Sequence, residues 1–148
     1  MNVYPYILLV HVLGATIWTG GHLVLATRIL PEVLRKRSAS MLLDFEKRYE
    51  LLGMSALAAQ IATGLWLAQN LLPFNLWLSL GNPYSRLILL KLSCLALTAA
   101  FAADAQLRVL PKLRDETVHK MVPHIVSVTI LGILFVVAGV GFRTGGWS

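Results

Sequence analysis

Four histidines, one lysine within an apolar run and a single cysteine are the residues of this chain best suited to chemistry. His11 and His22 share the first apolar run. At about 100° and 1.5 Å per helical residue they stand roughly 20° apart around an axis and about 16 Å apart along it. Trp18 falls on the same stripe, flanked by Gly14, Ala15 and Gly21. Small residues admit a close neighbouring helix, and would equally leave room for a flat macrocycle against an imidazole. His124 opens the last apolar run, at about the depth of His22 counted from the nearer membrane border. Two neutral imidazoles facing each other across a bundle suit the axial positions of heme iron. The same pair suits copper. The plainer use of either ring is a hydrogen bond to a carbonyl or to lipid phosphate. His119 lies among charges and reads as solvated.

Towards the other end of the bundle, His11 and Lys91 lie level if both runs are helical. A lysine there either snorkels to the interface or serves as a functional cation, for a carboxylate, a propionate or a proton. Cys94 shares its face one turn deeper and is the sole cysteine, which rules out an intramolecular disulfide. Gln60 and Thr63 read as hydrogen-bonding glue between helices. Met1, Met41, Met54 and Met121 form no Met-x-x-Met ladder, so a path built on thioether ligands is not expected.

The elements that must hold these groups are membrane helices. The 148 residues are 57% hydrophobic and 14% charged, against roughly a quarter charged in a soluble domain. Four apolar runs, at Val3–Ala26, Leu51–Leu71, Tyr84–Ala105 and Val122–Phe142, each reach the roughly 20 residues that cross a bilayer as a helix. The expectation is an all-α, four-helix integral membrane bundle forming a single domain over residues 1–148. The first run is too long for a signal-peptide core and reads as a retained helix. The net charge of +6 does not indicate nucleic acid, because ten of the thirteen Lys and Arg residues sit in two short loops. These are Arg28, Arg35, Arg37, Arg48 and their neighbours in the first, and Arg108 to Lys120 in the third. The positive-inside bias predicts both basic loops in the cytoplasm and both termini outside. Met41–Leu52 reads as an amphipathic lead-in to the second span. Pro73–Pro83 reads as an interfacial loop anchored by Trp77, and Arg143 with Gly145-Gly146-Trp147 as an interface anchor. No internal repeat stands out.

His11-Val-Leu-Gly-Ala-Thr-Ile-Trp18-Thr-Gly-Gly21 resembles the first-helix pattern shared by the copper-resistance D (CopD) family and the HemJ-type protoporphyrinogen oxidases. Arg48-Tyr-Glu with Thr63-Gly64 is similar to the second helix of the CopD proteins. Pro83-Tyr84-Ser-Arg-Leu-Ile-Leu-Leu-Lys91-Leu, running on to Leu110-Pro111-Lys-Leu113, is similar to their third. The resemblance implies a four-helix membrane unit that handles copper, or heme and porphyrin, with His11 and Lys91 matching both patterns. Two positions depart. Met121 or Val122 stands where those oxidases carry an acidic residue, and Ala105 where CopD proteins carry an asparagine.

The leading expectation is a cytochrome-like protein of a bacterial-type inner membrane, binding heme b and passing electrons to a redox partner or quinone. His22 and His124 are its axial pair, His11 with Lys91 nearby is the second candidate site, and Trp18 is a further cofactor-binding candidate. Copper handling at His11, His22 and Cys94 is the first rival. Porphyrin oxidation is the second, and a purely structural subunit the third. The glycines of the first and last spans would permit a homodimer.

Overall fold

The structure, a computed structural model, describes residues 2–145. Among the described residues four helical stretches are long and apolar enough to cross a membrane, at Tyr4–Lys36, Ala39–Leu71, Pro83–Lys112 and Asp115–Thr144. The protein is therefore a multi-pass, all-α membrane protein. Met1, Gly146 and Trp147 lie outside the described residues, and with them most of the expected tail anchor.

Helix α1 (Tyr4–Val24) starts with Pro5 in its first turn, where a missing N–H costs nothing. It runs through a π-helical turn at Leu25–Ile29 into α2 (Leu30–Lys36). Pro31 accounts for the widened turn. Its ring cannot sit against the carbonyl four residues back, so the helix opens and Leu30 N–H reaches Leu25 O. Helix α2 stops at Arg37, whose φ of 48° is left-handed. Helix α3 (Ala39–Leu71) is capped by Ser38, which accepts from Met41 N–H at 3.3 Å, and by Asp115, which accepts from Ala39 N–H at 2.8 Å. The expected lead-in at Met41–Leu52 is thus the first part of one continuous helix, since nothing in it breaks the backbone ladder.

Helix α4 (Pro83–Asp104) begins on Asn82, which accepts from Tyr84 N–H at 2.9 Å. It ends in a second π-helical turn, Ala105–Val109, ahead of Pro111. Short 3-10 turns then lead to α5 (Val122–Thr144). Trp77, expected at the lipid interface, is buried in the connection from α3 to α4. Its indole N–H donates to Leu72 O at 2.9 Å, and it packs with Leu72 and Ile88. Its own chain, rather than lipid headgroups, satisfies its polar edge.

Helix α1 packs on α3 and α5, and α4 packs on α5. Side chains close the ring between α3 and α4, through Glu46 and Gln106 at one end and Leu72 and Ile88 at the other. The main apolar cluster lies at the basic-loop end and joins Leu25, Leu30, Val33, Leu42, Ala105, Val118, Met121 and Ile125.

The structure also exposes an internal repeat that the sequence reading did not find. Tyr4, Arg28-Ile-Leu-Pro31 and the π-turn Leu25–Ile29 recur at one constant offset as Tyr84, Arg108-Val-Leu-Pro111 and the π-turn Ala105–Val109. At that offset buried Gly14, Trp18 and Leu25 match buried Cys94, Thr98 and Ala105. Helices α3 and α5 match at an offset of their own, which pairs buried Gly53, Ala56 and Thr63 with buried Val128, Leu131 and Ala138. The bundle is built from two helical hairpins with the same order of elements, α1–α3 and α4–α5, running in the same direction.

Candidate functional site

His11 points from α1 at α3. Its Nδ1 lies 2.8 Å from Thr63 Oγ1, and Thr63 donates its only hydroxyl proton to Ala59 O at 2.5 Å. Thr63 is therefore the acceptor, Nδ1 carries the ring proton, and the lone pair of His11 is on Nε2. Gln60 Nε2 donates to the His11 backbone carbonyl. The ring rests on Gly64, where an added Cβ would stand 3.1 Å from His11 Cε1. A Cβ added at Gly14, beneath it on α1, would stand equally close to Ala56 O and Gln60. Gln60 and Thr63 join helices, as expected, and in addition fix the tautomer and tilt of an imidazole. An oriented imidazole with a free Nε2 is a ready ligand for copper, zinc or iron.

Lys91 on α4 is near enough for its charge to bear on His11. Its Nζ lies 5.3 Å from the centre of the Phe142 ring and 3.8 Å from where a Gly139 Cβ would stand. Among the described residues no carboxylate pairs with it. Cys94, on α4, is buried.

His22 donates from Nδ1 to Trp18 O at 2.9 Å, which leaves its Nε2 without that proton too. Its ring is 4.4 Å from Trp18 and 6.3 Å from Tyr49, centre to centre. Tyr49 donates to Ile17 O at 2.6 Å, and its phenol occupies the space that Gly21 leaves open. The room expected beside His22 for a macrocycle is thus filled by an aromatic ring of the chain itself.

His124 turns towards α4. Nε2 meets Asp104 Oδ2 at 2.7 Å and Nδ1 meets Lys120 O at 3.2 Å, with the Phe101 ring edge-on at 6.0 Å. Both nitrogens are engaged by oxygen, so metal binding here needs the Asp104 bond to be given up. His22 is held by Trp18 O on its own helix and packs against Tyr49 of α3, while His124 is held by Asp104 of α4, so each imidazole has a partner within the protein. Asp104, at the end of an apolar span, escaped the sequence reading. A carboxylate one turn before Arg108 was the available signal.

Among the described residues no group of three or more His, Cys, Asp or Glu side chains could enclose a metal ion. His119 is exposed, beside a surface cavity of about 240 Å³ between Arg37 and Asp115. Among the described residues His11 is an imidazole held at Nδ1 by a side chain of the neighbouring helix.

No curated protein and no solved structure matches the chain. The family described as copper resistance protein D matches residues 43–142. That span covers Tyr49, Thr63-Gly64, Lys91 and the π-turn of the second hairpin, and it amounts to most of the chain. The chain belongs to the copper resistance protein D family.

Proposed function

We propose that this protein handles copper within the membrane and that His11 Nε2 is the ligand that holds the ion in transit. The supporting observation is the Thr63–His11 bond, because a proton committed to Ala59 O forces the imidazole to offer Nε2. Membership in the copper resistance protein D family favours copper over heme as the cargo. One imidazole and an exchangeable second ligand give a hold weak enough to release, which suits passage rather than storage. Lys91 sets the charge of the site by disfavouring a second cation beside the first. His22, held by Trp18 O and closer to the basic loops, is the next imidazole along α1. The basic loops face the cytoplasm and both termini face outward, by the positive-inside bias.

The test is full-length protein purified in mild detergent from cells supplied with both copper and heme. The expected result is colourless protein that binds Cu(I) at about one equivalent. A Soret band that shifts on reduction, with no bound copper, would overturn the copper reading in favour of heme.

A further inference from the structure

Among the described residues two buried side-chain polar atoms have no hydrogen-bond partner, Trp18 Nε1 and Thr98 Oγ1. Trp18 is 8% exposed and Thr98 is fully buried. An unpartnered polar group in so apolar a setting costs about 1–3 kcal/mol, so each such atom points to something that satisfies it. Thr98 is unusual among its own kind. Thr16, Thr27, Thr63 and Thr129 each return the hydroxyl proton to the carbonyl four residues back. Thr98 does not.

These two atoms also occupy the same place in the two hairpins. Trp18 and Thr98 correspond at the offset that matches Tyr4 with Tyr84 and the first π-turn with the second. Hairpins that run in the same direction and close into a ring are related by a pseudo-twofold axis along the membrane normal. At the basic-loop end the contacts between hairpins follow that relation, although along their length α1 packs on α5 more closely than α4 packs on α3. Glu46 meets Gln106 on one side, while the corresponding Met121 and Ala26 share an apolar cluster on the other. Matching positions on α1 and α4 therefore face the axis from opposite sides.

We propose that Trp18 and Thr98 form a seat on this axis for one small hydrogen-bond acceptor, an oxygen or halide atom. The indole N–H donates to it and the Thr98 hydroxyl makes the second bond, completing both groups. The seat lies two helical turns, about 10 Å, below the level of His11 and Lys91. It gives a polar foothold midway through the apolar interior. Two sources supply this chemistry, a water molecule or a halide that travels with the cargo.

The test uses metal-free, full-length protein in detergent and reads Trp18 emission as the difference from a Trp18→Phe chain. An indole bonded at the seat emits at longer wavelength than a bare one. Thr98→Val should move the emission to shorter wavelength and Thr98→Ser should restore it. A shift that responds to deuterated solvent and ignores bromide identifies water. Saturable quenching by sodium bromide at constant ionic strength, about twofold at saturation and lost in Thr98→Val, identifies a halide. Identical emission in the parent, Thr98→Val and Thr98→Ser chains, unaffected by bromide and by deuterated solvent, overturns the seat. The Thr98 comparison is also read on the chain with all four tryptophans, so a Trp18→Phe protein that fails to fold still leaves an answer. No copper is present, so this result and that of the copper test stand apart.

Discussion

His11 and Lys91 stand at equivalent positions of two hairpins, each against a glycine of the paired helix, Gly64 for the imidazole and Gly139 for the ammonium. The equivalence is geometric, and the chemistry is opposite. One half presents a lone pair, the other a positive charge. Replacing the ammonium by an apolar chain removes repulsion of a bound cation. Lys91→Met should therefore tighten Cu(I) binding by about threefold to thirtyfold, measured by competition with a chromophoric chelator. Weaker binding in Lys91→Met would show that the lysine helps to hold the cargo.

Thr63 acts through His11. Thr63→Val removes the acceptor that orients the ring, and loss of such a partner lowers metal affinity by about tenfold to a hundredfold. Thr63→Ser keeps the hydroxyl and should recover most of it. If Thr63→Val and Thr63→Ser bind Cu(I) alike, ring orientation is not what prepares this ligand.

Close approach of α1 and α3 depends on Gly21, because a Cβ there runs into the Tyr49 phenol. Gly21→Ala should destabilise the bundle by about 1–3 kcal/mol, seen as a lower unfolding midpoint in detergent. Tyr49→Phe keeps the packing and loses one hydrogen bond to Ile17 O, at a cost of about 1 kcal/mol. The order of the two effects is the check, with the glycine variant the less stable.

Asp104 and His124 join α4 to α5 near the basic loops, and the carboxylate is partly exposed, so solvent screens the pair. Asp104→Asn should lower stability by less than about 1 kcal/mol and leave Cu(I) stoichiometry unchanged. Loss of copper in Asp104→Asn would move the cargo site to this end of the bundle.

The four spans were legible because apolar run length alone decides membrane crossing. Their ends were not. The lead-in at Met41–Leu52 continues the second span as part of α3, and the first span continues past Ala26 through a widened turn whose only mark is Pro31. The repeat stayed hidden because identity survives at few positions, such as Arg28 and Pro31 with Arg108 and Pro111, while lipid-facing positions accept any apolar residue. At the candidate site, the levels of His11 and Lys91 could be counted from helix rise. The role of Thr63 needed the direction of one hydroxyl proton. Tyr49 in the space over Gly21 could not be read at all, since a glycine shows where room exists and not what fills it.

The most direct test is Cu(I) affinity in the full-length protein and in His11→Ala, with His22→Ala and His124→Ala alongside. The account predicts a loss of about a hundredfold or more in His11→Ala and a smaller change in the other two. Unchanged affinity in His11→Ala, with the loss in His124→Ala instead, would contradict it.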